Sequence, residues 1–109
     1  MAVEREVVSA TVERLRIQGG LTVYEAPALY QELLDSVRRC SRVEVDLSAV
    51  DDLDTAGLQV LMICKRESRR LSHELQMLAH SNAVVQAFEF LNLAAFFGDP
   101  LVLPATGGV

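Results

Sequence analysis

Between Val7 and Gln18 the chain is β-branched and alternating: Val12, Leu15 and Ile17 stand among charged or polar neighbours before Gly19-Gly20 stops the run. A strand or a hairpin is predicted there. Past the glycines the period lengthens to that of a helix, with Tyr24, Ala28, Leu29, Leu33, Leu34 and Val37 on one side and Gln31, Glu32 and Asp35 on the other. Thr22 is the expected cap of this helix. Pro27 falls in its first turn, where the missing N–H costs nothing, and Arg38-Arg39 suits the negative end of its dipole. Val43-Glu44-Val45-Asp46-Leu47 returns to a period of two and reads as a central strand.

A tight acidic loop, Ser48 to Asp54, is expected next, leading into a helix from Thr55 to about Ser72 with Leu58, Leu61, Met62 and Leu71 available for burial. Leu75 to Leu78 is a short apolar run that suits a further strand, and Asn82 can cap a third helix carrying Val84, Val85, Phe88 and Leu91. Phe96-Phe97-Gly98-Asp99-Pro100 breaks that helix. Leu101-Val102-Leu103 is read as a last edge strand, followed by a flexible tail. The pattern predicts residues 1–6 as an N-terminal extension, 7–103 as one domain and 104–109 as the tail. Strands separated by helices of these lengths imply an α/β fold: a mixed sheet of about four to five strands packed with three to four helices.

Composition narrows the function classes. At 109 residues there is room for one domain, and with half the residues hydrophobic and 23% charged the chain can bury a core. A net charge of −5 argues against nucleic acid as a partner, since phosphate binding needs cations. Lys65, Arg66, Arg69 and Arg70 cluster with the spacing of a solvated helix face. No run reaches the roughly 18 apolar residues that span a bilayer, and Glu4, Arg5 and Glu6 stand where a secretory signal would be apolar. A cytoplasmic protein with no direct membrane insertion is expected. Cys40 and Cys64 lack the spacing of a zinc site and read as reduced, buried small hydrophobes, so neither metal nor cofactor is expected.

Chemistry concentrates after the Val43 to Leu47 strand, where Asp46, Asp51, Asp52 and Asp54 fall within nine positions. Ligand-binding groups of α/β sheets gather at the carboxyl ends of strands, and a helix starting here offers free amides. The segment Val45-Asp46-Leu47-Ser48-Ala49-Val50-Asp51-Asp52-Leu53-Asp54-Thr55-Ala56-Gly57-Leu58-Gln59 resembles the signature of the STAS domain, the fold of bacterial anti-sigma factor antagonists. In that signature a strand ending in Asp-Leu or Asn-Leu leads through a loop to Asp-Ser/Thr-Ser/Ala-Gly-Leu at a helix start. The resemblance implies a STAS fold and a non-enzymatic, partner-switching module controlled by phosphorylation of Thr55, with Asp54 flanking it. The implied partners are an anti-sigma factor that is also a serine/threonine switch kinase, and a phosphatase that resets phospho-Thr55. Asp46, Asp52, Asp54, Thr55, Ala56, Gly57, Leu58 and Met62 are then the expected partner-binding residues.

The same residues support that role physically. A phosphate would add about −1.5 to −2 charges beside the positive helix end, so the fold should survive while docking suffers. Gly57 permits close approach, by helix–strand packing or by a partner. Leu58 to Cys64 is more apolar than one buried face requires, so Leu58, Met62 or Ile63 could be exposed. The plainer reading of Asp54-Thr55 is an ordinary helix cap. A receiver domain phosphorylated at Asp46 would need acids after its first strand, which Leu15 to Leu21 lacks. An enzyme would need a base near a nucleophile, whereas His73 and His80 read as exposed loop residues. Within the family the competing reading is a scaffold subunit, of a chemotaxis-type complex or of a lipid-transport ABC system, without phosphorylation, and the Asp-Thr-Ala-Gly-Leu-Gln form resembles chemotaxis-linked members.

Overall fold

The computed structural model of the protein describes residues 1–91; the expected break at Phe96 to Pro100, the strand at Leu101 to Leu103 and the tail lie outside them. The first two strands, β1 (Ala2–Ser9) and β2 (Val12–Leu21), form an antiparallel hairpin. Residues 2–6, expected as an extension, are thus the first half of β1. Besides the ladder to β2, Val3 packs on the core, and the Arg5 guanidinium donates to Glu13 at 2.7 Å and to Glu32 and Ser36. Glu13 shares the inward face of β2 with Leu15 and Ile17, which a period-two reading scores as a polar interruption.

Gly19-Gly20 does not end β2. The ladder to the third strand shifts register here, and Gly19 takes φ of +90°, a conformation only glycine adopts freely. The strand runs on to Leu21. Helix α1 (Ala26–Arg39) starts one turn later than Thr22 would place it, with Pro27 in its first turn. Thr22 instead builds the preceding turn: its carbonyl accepts from the amides of Glu25 and Ala26, and its own N–H donates to the Glu25 carboxylate at 3.0 Å. Tyr24 and Ala28 are therefore exposed, while Leu29, Leu33, Leu34 and Val37 are buried as expected.

The acidic segment is the main departure. Strand β3 (Arg42–Leu53) includes Ser48 to Leu53, which pair with β2 through Ala49, Val50, Asp52 and Leu53. Helix α2 (Thr55–Arg70), strand β4 (Glu74–His80) and helix α3 (Asn82–Leu91) follow. The sheet order is β1-β2-β3-β4, with β2, β3 and β4 parallel, so the two crossovers, turning the same way, place α1 and α2 side by side on one face. Their core is Leu15, Ile17 and Leu21 from β2, Val43, Val45 and Leu47 from β3, and Leu29, Leu33, Leu61 and Cys64 from the helices. Val84 and Phe88 of α3 join it, and α3 lies chiefly along β3. Its cap is Ser81 rather than Asn82: the Ser81 hydroxyl accepts from Val84 N at 3.3 Å.

Three side chains sit differently from expectation. Lys65 is not on the solvated helix face but buried, its ammonium donating to the Leu75 carbonyl. His80 is buried edge-on against Phe88, ring centroids 5.5 Å apart, and His73 places Nδ1 2.8 Å from the Val37 carbonyl. Neither histidine is an exposed loop residue. Cys40 and Cys64 are free thiols in the core, and burial pushes Cys64 up to about 12.

Candidate functional site

Pairing between β3 and β4 ends at Leu47, so the next six residues of β3 extend past β4 with β2 alone beside them. They carry the acids to the carboxyl end of the parallel sheet, where α2 begins. Asp54 leaves the strand with extended backbone and caps α2 with its side chain: Oδ1 accepts from Ala56 N at 2.9 Å and from Gly57 N at 3.1 Å. Oδ2 accepts from Val23 N, across in the β2–α1 turn, at 2.9 Å. The Gly57, Val23 and Ala56 amides together hold the Asp54 carboxyl below the usual carboxylate range.

Thr55 is therefore not the cap. It is the first helical residue, exposed, and capping makes no claim on its hydroxyl. The amides that would attract an anion at this helix start are already engaged, those of Ala56 and Gly57 by Asp54 Oδ1 and that of Leu58 by the Asp54 carbonyl at 3.0 Å. A phosphate on Thr55 would find a carboxylate beside it and solvent in front. Its effect falls on whatever docks there.

Gly57 is required by packing. A Cβ at this position would stand 2.1 Å from the carbonyl oxygen of Leu21 and 3.0 Å from Leu53 Cδ1. The first turn of α2 thus lies directly on the backbone of β2. That contact, with the Asp54 N–H donating to the same Leu21 carbonyl at 3.3 Å, locks the helix start to the sheet.

Two concave surfaces flank Thr55. An open cleft of about 710 Å³ is lined by Asp51, Asp52, Leu53, Asp54, Thr55 and Leu58 and, across from them, by Ala83, Gln86 and Ala87 of α3. Its polar wall is acidic, with no lysine or arginine among the described residues that line it. On the other side a groove of about 390 Å³ runs between α1 and α2, past Val23, Pro27, Tyr30, Ala56, Gln59 and Ile63.

The structure brings together Asp52, Asp54, Thr55, Ala56, Gly57 and Leu58. Asp46 stands apart: eight residues of extended chain, about 25 Å, separate it from Asp54. Its carboxylate turns back to Ser48, accepting from the amide at 2.9 Å and the hydroxyl at 2.6 Å, and it borders a hollow lined by Glu4, Glu6, Arg14 and Arg16. Nine positions form a close cluster only in a loop, and here the chain between them is strand. Leu58 is buried, Met62 is half-buried against the core, and Ile63 is the exposed residue of the three. The α3 residues and the Val23-Tyr24 pair are not among the residues that the sequence points to. Nothing local marks the α3 residues, while Val23-Tyr24, between Thr22 and Pro27, fits the start of the helix that Thr22 is expected to cap.

Fold and site define a mixed-sheet α/β domain with a hydroxyl-bearing helix start at the end of its central strand. The chain belongs to the STAS domain family: the family model described as "Mlab, STAS domain" matches residues 6–103. No curated protein matches it by sequence. Among solved structures it is similar to an anti-sigma factor antagonist from Mycobacterium paratuberculosis, at 24% identity and TM-score 0.79, covering 93% of this chain and 84% of that one. It is also similar to the anti-sigma factor antagonist SpoIIAA in its unphosphorylated form, at 15% identity and TM-score 0.75, covering 96% and 90%. The Bacillus SpoIIAA in its phosphorylated form matches at 14% identity and TM-score 0.71, covering 96% and 93%. At these identities the likeness is one of fold.

Proposed function

We propose that the protein is a non-enzymatic anti-sigma factor antagonist, which binds a switch kinase through the surface around Thr55 and is released when that kinase phosphorylates Thr55. The observation that carries this reading is the division of labour at the α2 start. Asp54 does all the capping, and the neighbouring hydroxyl is left exposed between an acidic cleft and an apolar groove. A partner that meets Asp51 and Asp52 presents basic groups, and a dianion added at Thr55 alters the charge and bulk of that contact without disturbing the helix. A phosphatase acting on phospho-Thr55 resets the cycle.

The test is binding of the cognate kinase to Thr55→Ala and Thr55→Glu, with the site of modification located by mass spectrometry after incubation with ATP. Thr55→Ala binds like the parent, and Thr55→Glu loses about tenfold or more in affinity, roughly 1.4 kcal/mol. Both stay folded, since negative charge at a helix start is tolerated. Phosphate on another residue, or parent-like binding by Thr55→Glu, refutes the switch.

A second reading, a STAS scaffold subunit in a chemotaxis-type or lipid-transport assembly, is favoured by one observation: the matching family model is described by Mlab and not by an antagonist. Under that reading Thr55 is never modified, and the protein co-purifies with an assembly rather than with a kinase.

A further inference from the structure

We infer that Val23 and Tyr24 are the apolar anchor of the docking surface and that Asp54, besides capping α2, is the positioning residue that holds them. This rests on the reading that a partner docks over Thr55. Tyr24 is 90% exposed and Val23 58%, and Val23 lines the α1–α2 groove together with the 42% exposed Ile63. Side chains so apolar on so small a domain are costly to leave in water, and tyrosine is enriched among residues that dominate binding energy.

The turn that carries them is tied down on both sides of Tyr24. Glu25 N and Ala26 N donate to the Thr22 carbonyl, the Thr22 amide and hydroxyl donate to the Glu25 carboxylate, and Val23 N donates to Asp54 Oδ2. Two exposed apolar side chains on a pinned turn are preorganised, so binding them orders little new chain. The occupant is the partner that reaches the Thr55 hydroxyl. A protein interface covers about 800 Å² on each side, a patch of roughly 16 Å radius, and Val23 is one hydrogen bond away from the neighbour of Thr55. Such a partner covers Tyr24 as well, and offers it an apolar socket next to the basic groups facing Asp51 and Asp52.

Asp54→Asn separates the two roles of the carboxylate. Asparagine caps helices about as well as aspartate, and its Oδ1 can still accept from Ala56 and Gly57. The amide group that replaces Oδ2 meets the Val23 N–H donor to donor, so the clamp opens and the cap remains. In amide exchange on the full-length chain, D54N is expected to speed exchange at Val23 while Ala56 and Gly57 stay protected. Equal loss at all three overturns the positioning role.

In titrations against the switch kinase, Tyr24→Ala is expected to weaken binding about tenfold with unfolding unchanged, and D54N to cost less in a Val23→Ala/Tyr24→Ala background than in the parent. Parent-like binding by Tyr24→Ala, or a D54N loss as large in the Val23→Ala/Tyr24→Ala background as in the parent, overturns the inference while the Thr55 switch stands. A parent chain that does not bind the kinase overturns the proposed function, and the docking part of this inference with it.

Discussion

Replacing Gly57 by alanine sets two effects of known size against each other. Inside a helix alanine is favoured over glycine by about 1 kcal/mol, so propensity alone says the variant gains stability. The added methyl, however, would sit 2.1 Å from the Leu21 carbonyl oxygen and 3.0 Å from the Leu21 carbonyl carbon. An ordinary C···O contact is about 3.3 Å, so the first turn of α2 must back away from β2 by roughly 1 Å. Overpacking of this kind costs about 1–3 kcal/mol, and here the obstacle is backbone that cannot rotate aside. Withdrawal also stretches the Asp54 N–H bond to the same carbonyl, already 3.3 Å long, which is worth about 1 kcal/mol. The clash wins, and Gly57→Ala is expected to lose roughly 1–3 kcal/mol. For a domain of this size that is a fall in Tm of about 4–12 °C. Thermal and urea unfolding measure it, with Gly20→Ala as the control, since a Cβ there meets nothing nearer than 3.6 Å. A Gly57→Ala protein as stable as the parent, or more so, would refute the close packing of α2 on β2.

Other outcomes follow from the polar core. Arg39, Arg5 and the Ser36 hydroxyl hold the Glu13 carboxyl at about 2, below its ordinary 4.5. Because the folded value is the lower one, the stability it contributes is present above pH 4.5 and is lost as pH falls toward about 2. The full depression corresponds to about 3 kcal/mol, and screening through the partly exposed arginines brings the expectation to roughly 1–2 kcal/mol. Parent and Glu13→Gln stabilities should therefore converge across that window in acid-unfolding curves; a gap that stays constant contradicts the ion cluster. Cys64, pushed up to about 12 by burial, and Cys40, raised by the same cause, should label with a thiol reagent at neutral pH only as fast as the protein unfolds. Rapid labelling of the native protein would place either thiol outside the core.

How far the sequence reached is clearest at β3 and α2. The alternation of Val43, Val45 and Leu47 reports a buried face directly, and the helical period of Leu29, Leu33 and Val37 does the same for α1, so the α/β class and most elements were legible from side-chain type alone. The segment Ser48 to Leu53 was not, because its acids suit a loop by composition. Only pairing with β2 makes it strand, and that ladder depends on residues some thirty positions away.

The same boundary divides the site. Residue types and order determined that Asp54, Thr55 and Gly57 stand together at a helix start, since a local motif is read from local spacing. Tertiary structure decided which of them caps, which is exposed and which is pressed against Leu21. It also moved Asp46 down the strand, buried Leu58 and Lys65, brought the α3 residues into one cleft with Thr55 and tied Val23 to Asp54. The physical reason is that periodicity along a chain specifies which face of its own element a residue occupies, whereas what that face meets is set by the register and packing of elements distant in sequence.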